Sequence, residues 1–462
     1  MFLNSSCNSF KTEVDSAFIG GEIINPNSKF VILEKDNKTV DSIKLDGKNR
    51  FKFKIDSLIK GVYTFKHGDE YQMILVEPFD SILLRMNTLE FDESLVYSGK
   101  GSKKNNYFIN EFLENEKSEK HILKLCQLNP QGYIKHIDSL KDKKLKLLEN
   151  FNKKHKNSDL FKKIALANIN YSYYSSMEVY PFIHYGNKNK GDLLNTLPED
   201  FYSYRKDINY NDTFFKHYHN YKTLLRHNFN TLALEMHTHH AKDKKFRWGS
   251  LCYNLDRLKL IDSLVDDESI KNDLLYYFTI KHLSLNRNVK NNSALLKSFL
   301  SKSSDEEAKI VITDFANSLI NLEPGSTLPN IKIIDFDNNE FEIASLIKTP
   351  TVISYWSQVH FAHFKKSHNK IKELKTKFPE VSFVTINIDK VGIDRPKQTL
   401  KKSNFSYTNQ FVLKDPNKSK KELAIYPMTK AMIIDKKGEI VNSNTNMFSI
   451  NFEKQLLELL NN

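Results

Sequence analysis

Cysteine is scarce in this sequence. Cys7, Cys126 and Cys252 are the three in 462 residues, and their wide separation gives neither a metal-ligand spacing nor a disulfide framework. Long apolar runs are missing too: nothing approaches the roughly 18 consecutive apolar residues that a membrane-spanning helix needs. No fixed period of about 34 or about 40 residues recurs, so a solenoid has no support. A nucleic-acid-reading motif is also absent, although the net charge is +13 and the pI near 9.2. The lysines run along the whole chain, interleaved with 56 acidic residues. That pattern describes a solvated surface, and Lys- and Asn-rich sequence is also what an AT-rich genome produces. No nucleic-acid partner is expected.

What is present is enough to fold. A hydrophobic fraction of 40% with 12% aromatics supplies more than one core, and this length favours two or three domains. Residues 1–16 read as a tether. "MFLNSSCNSF" has the small residues, the cysteine and the polar continuation of a bacterial lipoprotein signal, but its basic and apolar regions are absent. The expectation is lipidation at Cys7, which would anchor the chain to a membrane in the cell envelope or periplasm. A plain polar N-terminus accounts for the same residues.

Residues 17–100 read as a β domain. "FKFKI" alternates with period two, and "KFVILEK", "VYTFK", "YQMILVE" and "SILLRMN" recur between turns rich in Asn, Asp and Gly. Such spacing predicts a small antiparallel β sandwich or barrel. From 101 to 318 the pattern is helical: Ile137, Leu140, Leu145 and Leu148 fall roughly along one face. The many Tyr and Phe of this region read as core. His237 and His240 are spaced to share one helix face and one metal. With His239, and with His217 and His219 nearby, they read in the first place as a polar helix end in a chain with fifteen histidines.

Residues 322–462 alternate strands and helices. "IKIIDF" and "EFEIASL" flank the turn "DNN", and "TVISYW" is a buried strand leading into the helix "FAHFKKSHNKIKELKTKF", which stops at Pro379. "VSFVTINID", "QFVLKD" and the hairpin "AMIIDKKGEIVNS" follow, and "NFEKQLLELL" closes the chain. This is an α/β domain with a mixed sheet.

The ordered set resembles the thioredoxin-like domains of the TlpA/ResA class, envelope disulfide reductases of bacteria. "LPNIKIIDFDNNEFEIASL" is similar to the family's entry hairpin, "TVISYW" to the strand entering its W-x-x-W-C-x-x-C site, "YPMTKAMIID" to the cis-proline loop, and "DKKGEIV" to the closing hairpin. The upstream layout, with its "SGKGSKKNNYF" junction, resembles large thioredoxin-like lipoproteins of Bacteroidetes. The fold so implied is multidomain: an N-terminal antiparallel β sandwich, a helical middle region and a C-terminal α/β thioredoxin fold. The resemblance fails where the chemistry sits. With Trp356 on the family's first tryptophan, Val359 falls on the second, and His360 and His363 occupy the two cysteine positions. Imidazole can neither attack a disulfide nor resolve one. No cysteine follows Cys252, so the domain has no dithiol of its own.

Three readings follow. In the first, the domain is a redox-inactive module binding protein or peptide, with Trp356, His360, His363, Tyr426 and Pro427 lining the old site and the backbone beside Pro427 pairing with an extended segment. In the second, His360 and His363, at the positive end of a helix and so mostly neutral, bind copper or zinc with a third ligand from elsewhere. In the third, the chain is a thiol-disulfide oxidoreductase of the TlpA type, which requires Cys126 or Cys252 to reach the site. A histidine acid/base role lacks a partner.

Overall fold

The computed structural model describes residues 15–68, 70–184, 190–241, 246–286, 288–358, 360–390 and 392–461. Cys7 and Val359 lie outside them. The chain forms two compact units, Met1–Thr231 and Leu232–Asn462, so the helical region between 101 and 318 is shared between the two.

The first unit begins with eight described strands: β1 (Ala17–Ile24), β2 (Phe30–Lys35), β3 (Lys38–Lys44), β4 (Arg50–Ile55), β5 (Gly61–His67), β6 (Glu70–Val76), β7 (Ser81–Asn87) and β8 (Val96–Lys100). They form two sheets, ordered β4-β1-β7-β8 and β3-β2-β5-β6. Inward residues from both, among them Ile19, Phe53 and Ile82 from one and Val31, Phe65 and Ile74 from the other, share one core. The expected antiparallel sandwich needs one correction: β1 and β7 pair in parallel, Ile19 opposite Ile82. β1 runs between two neighbours, and its Gly20 and Gly21 let their backbones close in. A Cβ on Gly21 would stand 2.2 Å from the Leu84 carbonyl oxygen.

The first helix, α1 (Ser102–Leu125), is fastened to both sheets by adjacent asparagines. Asn105 accepts from the Leu75 amide (2.8 Å) and donates to the Leu75 carbonyl (3.0 Å). Asn106 does the same for Tyr97, at 2.9 and 2.8 Å. β6 and β8 are the edge strands on that side of their sheets, so each side chain occupies an edge that would otherwise be open to another strand. Beside them Lys104 bridges Glu77 (2.7 Å) and Asp80 (2.6 Å). The helices α2 (Pro130–Lys154), α3 (Asp159–Ile183) and α4 (Lys190–Asn195) follow. On the face read from the sequence, Ile137 and Leu148 are buried.

Within α3 the Glu178 side chain is fully buried. Its two oxygens take a two-pronged pair from Arg205 (both 2.9 Å), and one of them also accepts from Tyr204 (2.9 Å) and Asn228 (2.7 Å). A carboxylate is tolerated in such a place only when it is paired and its lone pairs are bonded.

The second unit takes up the chain within α5 (His219–His240) and continues through α6 (Leu251–Leu264), α7 (Glu268–Leu285), α8 (Val289–Lys302) and α9 (Glu306–Ile320). Side-chain caps from Ser250, Asp267, Asn288 and Asp305 start the last four, each satisfying an amide that a helix start leaves open. The α/β domain follows: β9 (Lys332–Ile334), β10 (Glu340–Glu342), β11 (Thr351–Trp356), α10 (Phe361–Lys377), β12 (Ser382–Asn387), α11 (Asp394–Lys402), β13 (Gln410–Leu413), α12 (Pro416–Glu422), β14 (Ala431–Ile434), β15 (Ile440–Thr445) and α13 (Phe452–Asn461). The seven strands are ordered β10-β9-β13-β12-β11-β14-β15. β11, β12 and β13 are parallel, and β14 runs antiparallel to β11. Every residue of β11 is buried, as a central strand covered on both faces requires.

Candidate functional site

The register sets the site. Ser354 of β11 lies opposite Ala431 of β14. The chain leaving β11 toward His360 and the chain entering β14 from Pro427 therefore stand at the same end of the sheet. A polar hub holds the first of these. Asp389, just past β12, accepts from the Ser357 hydroxyl (2.5 Å), the Gln358 amide (2.8 Å) and the Asn387 side chain (3.1 Å). Gln358 also donates to Thr399 at 2.5 Å. Ser357 and Gln358, where the chain leaves β11, are thus fixed by hydrogen bonds.

Trp356 requires a correction. It is fully buried, its ring 4.7 Å from Phe364 and 5.5 Å from His368, and it lines no surface that a ligand could touch. The continuous apolar strand carries it inward. His360 is exposed at the start of α10 and caps it with no side-chain hydrogen bond. His363 is half-buried, edge-on to Phe448 at 6.3 Å between centroids, and neither of its ring nitrogens has a hydrogen-bond partner among the described residues. Burial, and then the neighbouring His360, hold its pKa below the ordinary histidine value, so it is neutral near pH 7. His368 belongs to the core, bonded to the Phe364 carbonyl oxygen (2.9 Å) and facing Gln410 (3.3 Å).

On the other strand, the Tyr426–Pro427 peptide is cis. Tyr426 is exposed, and its ring meets Phe315 of α9 edge-on at 6.4 Å. Below it Lys430 is buried, its ammonium donating to the Leu423 (2.6 Å) and Ala424 (3.0 Å) carbonyls. Burial lowers its pKa to about 7. The lysine closes the end of α12 and so holds the proline loop. Neither Asp389 nor Lys430 shows in the sequence as more than one charge among many.

His360 and His363 gather no third His, Cys, Asp or Glu donor among the described residues, whereas His237 and His240 stand together with Cys252 and Asp256. His217 faces Asn37 (3.0 Å), His219 faces Thr223 (3.3 Å), and His239 is exposed. Cys126 is buried, which pushes its thiol up to about 11, away from the thiolate that disulfide exchange needs.

No protein-family model matches the chain, and no curated protein does. Among solved structures the chain is similar to the thioredoxin domain of a thiol-disulfide oxidoreductase from Bacteroides vulgatus: 18% identity, 29% of this chain and 99% of that one, TM-score 0.25. It is also similar to a thiol:disulfide interchange protein from Bacteroides sp.: 17% identity, 26% of this chain and 81% of that one, TM-score 0.24. These likenesses cover under a third of this chain. Its β11-α10-β12-α11-β13 unit is followed by the proline loop and an antiparallel hairpin.

Proposed function

We propose that the α/β domain binds extended polypeptide at the sheet end between His360 and Pro427, without thiol chemistry. The observation supporting this reading is a set of apolar side chains left in solvent around that end. Phe361 is 40% exposed, Phe448 45%, Tyr426 36% and Ile450 94%. Exposed apolar groups gathered beside a pinned polar loop suit a partner that brings its own apolar side chains. His360 supplies a polar group at the rim, and His363 a neutral one behind it.

The test is fluorescence anisotropy on the full chain, with labelled, reduced and carboxymethylated α-lactalbumin as a permanently unfolded probe. Binding in the micromolar range is expected. It should weaken about 10–100-fold in Phe361→Ser/Phe448→Ser, the loss of about 1.4–2.8 kcal/mol of contact. Absence of binding, or equal binding by the variant, would sink the reading.

The same reading places the chain in the cell envelope, held to the membrane through a lipid on Cys7. No described helix is long and apolar enough to cross a membrane, so the sequence around Cys7 alone motivates the anchor. Labelled palmitate should enter the chain in a bacterial host and fail to enter Cys7→Ser. An unlabelled parent chain would remove the anchor.

A further inference from the structure

We infer that His237, His240, Cys252 and Asp256 form a zinc(II) site joining the end of α5 to the start of α6. Each residue offers one donor atom, and the four atoms lie within 4.8 Å of one another. His237 and His240 are one turn apart on α5, as Cys252 and Asp256 are on α6. The Cys252 sulfur lies 4.0 Å from His240 Nε2 and 3.9 Å from Asp256 Oδ2. Asp256 Oδ2 lies 3.8 Å from His237 Nδ1 and 2.8 Å from His240 Nε2. Ligands bound tetrahedrally to zinc at about 2.0–2.3 Å stand about 3.3–3.8 Å apart. Three of these separations lie close to that spacing, and the His240–Asp256 contact has to open for an ion to enter.

The chemistry of the set selects the ion. Two imidazoles, one thiolate and one carboxylate are too soft for magnesium or calcium, and a closed set of four suits tetrahedral zinc. His237 and Asp256 are buried, at 3% and 8% exposure, while His240 is exposed and Cys252 half-buried. An ion can thus enter from solvent and finish against a rigid wall. That wall is built: Tyr253 stands edge-on to His237 at 6.1 Å, and Asn254 donates to the Trp248 carbonyl (2.8 Å) at the start of α6. With all four positions supplied by protein, the site is structural, and binding releases the Cys252 proton. Cys252 thereby gains a role that does not depend on the α/β domain.

The test uses the full chain, reduced and freed of metal, titrated first with cobalt(II) and then with zinc(II). One equivalent of cobalt should bind with the intense visible bands of tetrahedral geometry and a thiolate-to-metal charge-transfer band, and zinc should displace it. Cys252→Ser should lose the charge-transfer band and bind at least tenfold more weakly. His360→Ala/His363→Ala should titrate like the parent chain. X-ray absorption of the zinc-loaded parent should show one sulfur and three nitrogen or oxygen ligands, a reading that stands even if a variant fails to fold. No uptake, a band that survives Cys252→Ser, a first shell without sulfur, or loss of the site in the His360/His363 variant would overturn the inference. The bare His240–Asp256 contact would then be the whole of the arrangement.

Discussion

Glu178→Gln should destabilise the first unit by about 3–5 kcal/mol, the range for removing one partner of a buried ion pair. The substitution keeps the shape and removes the charge. The Arg205 guanidinium, which lies over the Tyr202 ring at 3.6 Å and has Glu178 as its two-pronged partner, then faces an amide whose NH2 cannot accept. Tyr204 and Asn228 donate to the same oxygen, so the loss spreads from α3 to α5. Urea unfolding of the full chain, followed by near-ultraviolet circular dichroism of the tyrosines, reads the shift in midpoint. Glu178→Met/Arg205→Met should recover much of it, because two apolar groups leave no charge stranded. A single variant within about 1 kcal/mol of the parent, the level of an exposed pair, would show that the cluster is solvated.

Asn105→Ala should cost about 2–6 kcal/mol, since an unsatisfied buried donor or acceptor costs about 1–3 kcal/mol each. Asn105 is 1% exposed, and its loss strands both the amide and the carbonyl of Leu75. Asn106→Ala should cost less, because its bonds to Tyr97 are only partly buried. Besides the lower midpoint, hydrogen exchange at Leu75 should speed up. A variant that keeps Leu75 protected would contradict the account of the edge strand.

These two sites also show what the sequence could not disclose. The alternation in "FKFKI" and the apolar runs of β2, β5, β6 and β7 announce strands, because one face of each is buried. β1 hides behind Gly20 and Gly21, and β3 exposes almost every side chain, so neither shows a period. That β1 pairs in parallel with β7 depends on partners about 60 residues apart, which no local pattern encodes. The α/β domain was more legible, because buried central strands are plain apolar runs. Trp356 misled: an aromatic at a strand end reads equally as core or as lining, and only its burial against Phe364 decides. His360 and His363 were visible as a pair, and His237 with His240 too. Cys252 and Asp256 join the latter pair only when α6 packs beside α5, a relation no linear spacing shows.

The measurement nearest the central claim is hydrogen exchange on the full chain with and without the unfolded probe. Binding at the sheet end predicts slower exchange in residues 357–364, 425–430 and 446–450, and little change elsewhere. Protection confined to other segments, or none at saturation, would contradict the claim that this α/β domain works as a polypeptide-binding module.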